Sequence, residues 1–192
     1  RVLFRSNQGH EMATFKIEGL KDVYAAFEQL ANDIGDKKAQ SSVLVPAVRE
    51  AMQPVLNQAI TNAPKDTGGL ALSLQVEARR PTKRDRRSKY VNETDTVIAA
   101  VTTASGQKLA KMSSGKGLIS ARKRLTKLGV ANADKFMGVQ GDARAIAQEF
   151  GSAHNGAQPY LRPSLESQSQ STVKLLGEVL ARRINQYRMK TR

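Results

Sequence analysis

Cysteine is absent from this chain of 192 residues, and so is tryptophan. Without thiols there is no disulfide framework, no thiolate metal site and no cysteine nucleophile. Aromatic residues make up only 5% of the sequence, so core volume must come from Leu, Val, Ile and Ala. No stretch approaches the ~18 consecutive apolar residues of a membrane-spanning helix, and no membrane partner is expected. Acid is also scarce: 17 Asp and Glu stand against 31 Lys and Arg, for a net charge of +14. The length suits one domain with a real hydrophobic core.

The excess positive charge is unevenly placed. Residues 12–70 carry six basic and seven acidic side chains. Residues 79–89 carry seven basic and one acidic, residues 105–135 eight and one, and residues 171–192 six and one. A polyanion beside these segments is one reading, and a solvated surface that keeps the protein soluble is the other.

Apolar spacing divides the chain into helices and strands. Residues 1–11 show no periodicity and are set aside as a leader or appended segment, with Met12 as a natural start. Residues 14–18 alternate as a short strand or extended arm. Leu20, Tyr24, Phe27, Leu30 and Ile34 recur at three and four, which predicts a helix ended by Gly35. Residues 38–62 predict a second, longer helix with Val45, Val48, Met52, Val55, Leu56 and Ile60 on its apolar stripe. Pro46 marks a candidate start, and Pro54 should kink or break it. Pro64 ends the helix, and residues 64–68 form a fixed corner. There Asp66 and Thr67 can bond nearby amides and Gly68 relaxes the backbone limits.

Beyond the corner, residues 70–78 alternate as a half-buried strand, and residues 96–103 form a second. The basic stretch 79–95 between them reads as a long hairpin tip. Two strands cannot stand alone, so a third is expected, from residues 14–18 or from a neighbouring subunit. Residues 105–141 are rich in Gly, Lys and Ser and read as a mobile or inserted loop that holds at most a helix over 118–128. Residues 143–150 return to the core as helix or strand. Gly151 ends that segment, residues 152–158 make a tight excursion, and Pro159, Tyr160 and Pro163 lead into a last helix over 162–187. Its stripe is Leu165, Val173, Leu176, Leu180, Ile184 and Tyr187.

No constellation carries catalysis. Lys111-Met112-Ser113-Ser114-Gly115-Lys116 is similar to the lysine-rich signature loop of one class of aminoacyl-tRNA synthetases, but the nucleotide fold and partner histidine motif are missing. His154 stands alone in a Gly/Asn turn and reads as a surface or packing residue. Asp66, Glu149 and Glu166 show no spacing that pairs them as metal ligands. Glu149 and Arg162 flank the same turn and could hold it closed. Neither a metal nor a cofactor is expected. The basic clusters lack interleaved aromatics apart from Tyr90, so contact with backbone phosphates is expected rather than sequence readout.

Ala63-Pro64-Lys65-Asp66-Thr67-Gly68-Gly69-Leu70, followed far downstream by Glu149-Phe150-Gly151-Ser152 and Pro159-Tyr160-Leu161-Arg162-Pro163-Ser164, resembles a family of tailed-phage neck proteins. These are the head–tail joining or tail-completion proteins typified by phage Hong Kong 97. The resemblance covers about residues 15–187. It implies an α+β fold: a long helix packed on a small antiparallel sheet, with a C-terminal helix. The long basic loops, at 79–89 and 105–141, depart from a minimal member of the family, and their local structure is not carried over from it. The resemblance also implies a structural, non-enzymatic subunit of a homo-oligomeric ring in the virion, assembled in the host cytoplasm beside head-completion and tail proteins. On this reading residues 12–192 are one domain with a basic insertion at 104–141. Pro64, Asp66, Thr67, Gly68, Glu149, Phe150, Gly151, Pro159, Tyr160, Arg162 and Pro163 are its structural landmarks. Arg79, Arg80, Lys83, Arg84, Arg86, Arg87 and Lys89 are expected to touch DNA or an acidic neighbour, the DNA contact being non-specific. The competing class is a basic nucleic-acid-binding or packaging accessory protein that forms no ring.

Overall fold

A computed structural model describes residues 20–64, 68–88, 91–93, 95–130, 133–138, 144–152 and 156–190. The expected leader 1–11, the extended segment 14–18, and Asp66, Thr67, Lys89, Tyr90 and His154 lie outside the described residues. The fold is α+β, with several helices and one small antiparallel sheet. In chain order the first helices are α1 (Leu20–Ile34), α2 (Asp36–Ala39), α3 (Val45–Ala51), α4 (Gln53–Asn62) and α5 (Gly69–Ser73). The two strands follow, β1 (Leu74–Arg79) and β2 (Ile98–Thr103). The remaining helices are α6 (Gly106–Met112), α7 (Gly115–Lys127), α8 (Arg144–Phe150) and α9 (Leu161–Lys190). The chain divides into two compact units, one of residues 1–54, 76–100 and 168–192, the other of residues 55–75 and 101–167.

In the first unit, α1 ends at Gly35 as its sequence predicts. Its buried stripe, however, is Val23, Ala26, Phe27 and Leu30, while Tyr24 is 59% exposed. Phe27 and Leu30 thus face inward as predicted, and Val23 takes the place expected for Tyr24. Positions 23 and 24 lie four and three residues before Phe27, and only the packing partner chooses between them. The helical run from Asp36 to Asn62 contains two irregularities, both explained by proline. A single π-turn, Gln40–Leu44, precedes α3, which carries Pro46 in its first turn. Pro46 has no N–H for the carbonyl four residues back and its ring crowds that carbonyl, so a wider turn is accommodated there. The run breaks again at Met52, two residues before Pro54. Val43, Ala47, Val48 and Ala51 share a core with Ala78 of β1, Ala99 of β2 and Leu176, Val179, Leu180 and Ile184 of α9. Arg49 Nη2 donates to the Ala78 carbonyl at 3.1 Å. Arg182 and Arg183 of α9 both pair with Glu50 of α3, the Arg183 contact at 2.8 Å.

The second unit holds two corrections. Residues 70–73 are helical, and the strand begins only at Leu74. Alternation marks a strand when one face is wet, but here Leu70, Ala71, Leu72 and Ser73 are all buried. The turn chemistry decides instead. Gly68 sits at φ +68 and accepts the Leu72 N–H at 3.0 Å, while Ser73 Oγ donates back to the Leu70 carbonyl at 2.7 Å. Such a φ is rare for any residue bearing a Cβ, and an added Cβ would overlap Leu125 Cδ2.

The second correction concerns the described part of residues 105–141, which is largely helical rather than a loop and includes the helix expected over 118–128. It contains α6, α7 and a 3₁₀ turn at Ala133–Lys135, and it has its own core. Leu109, Ala121, Leu125, Val130, Ala133 and Phe136 are buried there with Leu72 and Ala104. Apolar residues at helical spacing were diluted by Lys, Ser and Gly in this segment, and the stripe is narrow because α7 uses small Ala121 in its centre. Among the described residues the sheet has two strands, and the candidate third at 14–18 is not described.

Candidate nucleic-acid interface

The connection between β1 and β2 is ordered by its own charges. Thr82 and Asp85 are three apart and bond reciprocally. The Thr82 N–H donates to Asp85 Oδ2 at 2.7 Å, and the Asp85 N–H donates to Thr82 Oγ1 at 3.3 Å. The Thr-x-x-Asp spacing is that of a capping box, and the pair ties Thr82 to the first residue of the short 3₁₀ turn Asp85–Arg87. The motif was present in the sequence but was hidden among basic residues.

Arg79 completes this anchor. Its guanidinium donates to both oxygens of Asp85, at 2.5 and 3.0 Å, and to Glu77 Oε1 at 2.8 Å. The Asp85 carboxyl is held well below the usual carboxylate range, first by Arg79 and then by Thr82. The same contacts, with Asp85 first and Glu77 second, push the Arg79 guanidinium above its ordinary value. Farther along the connection, Arg86 donates to the carbonyls of Asn92 at 3.2 Å and Glu93 at 2.5 Å. The Asp95 carboxylate accepts the Asn92 N–H at 2.9 Å.

Two of the seven predicted contact residues, Arg79 and Arg86, are therefore engaged by acceptors of the loop itself. Arg80, Lys83, Arg84 and Arg87 are exposed and make no ion pair among the described residues. Among the described residues nothing neutralises these four exposed cations. Such a surface suits phosphate or carboxylate groups, and it has no aromatic platform among the described residues for stacking a base.

The landmark residues around α8 and α9 form a separate construction. Glu149, 5% exposed, turns its carboxylate onto the start of α9. Oε2 accepts the N–H groups of Tyr160 at 2.8 Å and Leu161 at 2.9 Å, and Oε1 accepts that of Arg162 at 3.1 Å. Glu149 and Arg162 do meet across the turn, but through the Arg162 backbone. Gln148 and Gln158 close the base of the excursion twice, once by the Gln158 N–H to the Gln148 carbonyl and once between side chains, both at 2.8 Å. Tyr160 is 1% exposed, and Pro163 lies in the first turn of α9. Phe150 is 65% exposed. Asn62, at the end of α4, donates to Ser164 Oγ at 2.9 Å, and Ser164 Oγ donates to the Tyr160 carbonyl. The end of the helix before the Pro64 corner is thereby tied to the start of α9.

Among the described residues no helix is long and apolar enough to cross a membrane. The chain matches no family model, no curated protein and no solved structure.

Proposed function

We propose that this chain is a structural protein of the head–tail junction of a tailed phage, a subunit of a ring that joins or completes the tail and lines the DNA conduit. The observation that carries the reading is the loop between β1 and β2. Arg79 and Arg86 brace it through Asp85 and backbone carbonyls, and Arg80, Lys83, Arg84 and Arg87 are exposed with no acidic partner among the described residues. Four like charges on one short loop repel each other, and a polyanion in the lumen of a ring supplies the missing counter-charge. Phosphate contact of this kind is diffuse and reads no bases, as a passage for DNA of any sequence requires.

Two further features support it. The landmark residues of the neck-protein resemblance include Gly68, in the left-handed conformation, and Glu149, which holds the start of α9. Among the described residues the sheet has two strands, each with a backbone edge, and pairing of those edges between subunits would close them in a ring. In this reading the helical run ending at Asn62 is the long helix of the neck-protein architecture, laid on the sheet.

The test is complementation of a phage deleted for this gene, using Arg80→Gln/Lys83→Gln/Arg84→Gln/Arg87→Gln. Unjoined heads and tails seen by electron microscopy are expected, with the variant subunit still folded and still assembling by light scattering. Normal infectious particles from that variant would reject the loop's role, and normal particles from the deletion itself would reject the assignment. A monomeric chain with steeply salt-dependent DNA binding would favour the accessory protein that forms no ring.

A further inference from the structure

The segment that reads as a loop in the sequence folds into a helical hairpin, and one face of it has no role in the loop-based reading above. Helix α7 carries Lys116, Arg122, Lys123, Arg124 and Lys127 and no acidic residue. Its inner stripe is Leu118, Ala121 and Leu125. On the opposite side Lys116, Ser120, Lys123 and Lys127 follow at intervals of four, three and four, and all are exposed. At about 1.5 Å per residue these lysines span roughly 16 Å along one line.

Three observations argue that this line is shaped for an external polyanion. First, a merely solvated helix gains from mixing signs at i,i+4, whereas Lys123 and Lys127 are a repelling pair at that spacing. Second, Lys127 at the C-terminal end is favoured by the helix dipole, but Lys116 stands in the first turn, where positive charge is disfavoured. The dipole therefore does not account for the row. Third, the platform is rigid. A Cβ at Gly117 would overlap the Lys111 carbonyl oxygen, so α6 and α7 meet backbone to backbone. Arg122 Nε donates to the Phe136 carbonyl at 2.9 Å and ties α7 to the segment that follows it. A pre-ordered row of charges loses little entropy on binding.

We infer that the outward face of α7 is a second, independent nucleic-acid surface, in which Lys116, Lys123 and Lys127 bind the phosphate backbone of duplex DNA without sequence preference. Lysine favours this over an acidic protein partner. Protein interfaces are depleted in lysine at their centres and enriched in aromatic and arginine anchors, and this row has neither. An ammonium group is a point charge that suits a phosphate oxygen from many directions, so no base is selected. The inference does not rest on the head–tail assignment.

The experiment measures binding of the full chain to a random-sequence 30-base-pair duplex by fluorescence anisotropy over a range of salt. For Lys116→Gln/Lys123→Gln/Lys127→Gln, the slope of log affinity against log salt should become shallower by about 2.7, with affinity near 0.1 M salt falling on the order of a hundredfold. The triple Lys→Arg variant should keep the wild-type slope. Removing three exposed lysines elsewhere, Lys21→Gln/Lys37→Gln/Lys38→Gln, should change the slope by less than one. Should the triple glutamine variant fail to fold, each single Lys→Gln variant should reduce the slope by about 0.9. Equal effects of the two glutamine triples would show that net charge alone binds DNA and would overturn the proposal. So would an unchanged slope for the α7 triple, or poly-glutamate competing as well as an equal charge of duplex. Complementation by the loop variant reports on the β1–β2 loop, so failure of either proposal is visible separately.

Discussion

Replacing Glu149 should be among the most damaging single changes in the protein, although it makes no ion pair among the described residues. A helix leaves its first four N–H groups without intrahelical acceptors. At the start of α9 these belong to Tyr160, Leu161, Arg162 and the residue at position 163. One carboxylate accepts the first three, and the fourth is Pro163, which has no N–H to satisfy. Glu149→Ala removes all three acceptor contacts at a site where Tyr160 is 1% exposed and water cannot fully replace them. Bonds to a charged acceptor contribute about 1.5–3 kcal/mol each, but they share one carboxylate and are not additive. Leu161 and Arg162 are half-buried and recover part of the loss from solvent. The expected cost of Glu149→Ala is therefore about 3–5 kcal/mol. Glu149→Gln keeps one oxygen but points an amide N–H₂ at a donor, and should cost about 1–3 kcal/mol. Urea denaturation of both variants measures this as a lower midpoint at unchanged m. Hydrogen exchange should quicken first at residues 160–162. An alanine variant within about 0.5 kcal/mol of the wild type, the size of an ordinary surface substitution, would refute the capping argument.

Further outcomes follow from other contacts. Gly68→Val combines a left-handed backbone with overlap on Leu125 Cδ2 and should cost at least about 2–4 kcal/mol; pairing it with Leu125→Ala should recover part of that, and strict additivity of the two would deny the clash. Gly117→Ala should lower the melting temperature even though Ala is the better helix former, because the methyl group meets the Lys111 carbonyl; a raised melting temperature would count against the close α6–α7 approach. Amides within α7 should be protected from exchange in the free protein, and free exchange throughout Gly115–Lys127 would restore the loop reading of this segment. The Glu50 carboxyl is held below its ordinary value by Arg183 first and Arg182 second. Its contribution is complete above the unfolded pKa of about 4.3 and is lost as pH falls through the lower folded value. Glu50→Gln should thus flatten the stability profile between about pH 5 and 3, with a difference of about 1 kcal/mol or less at neutral pH because the pair is partly exposed. Parallel profiles for variant and wild type would contradict the pairing.

Features that depend on near neighbours were legible in the sequence. Helix α1 ends at Gly35, the long run breaks before Pro54, and α9 takes Pro163 into its first turn, because caps, missing donors and ring clashes act within four residues. The positive φ of Gly68 was foreseeable on the same grounds, as was the second strand, expected over 96–103 and found from Ile98 to Thr103, with the basic connection before it. Other features needed the tertiary structure. Leu70 and Leu72 alternate as a strand would, yet full burial of Ala71 and Ser73 removes the wet face on which that inference rests. The α6–α7 hairpin acquires its apolar partner from Leu72 and Ala104, which no window inside residues 105–141 contains. Glu149 was singled out with Arg162, but that its carboxylate serves three backbone donors depends on how α8 meets α9. The charge of the β1–β2 loop could be counted from composition. Which arginines pair with the loop and which have no ion pair among the described residues was decided by Asp85, Glu77 and the carbonyls at 92 and 93, since a guanidinium pairs with whatever acceptor the folded backbone places within reach.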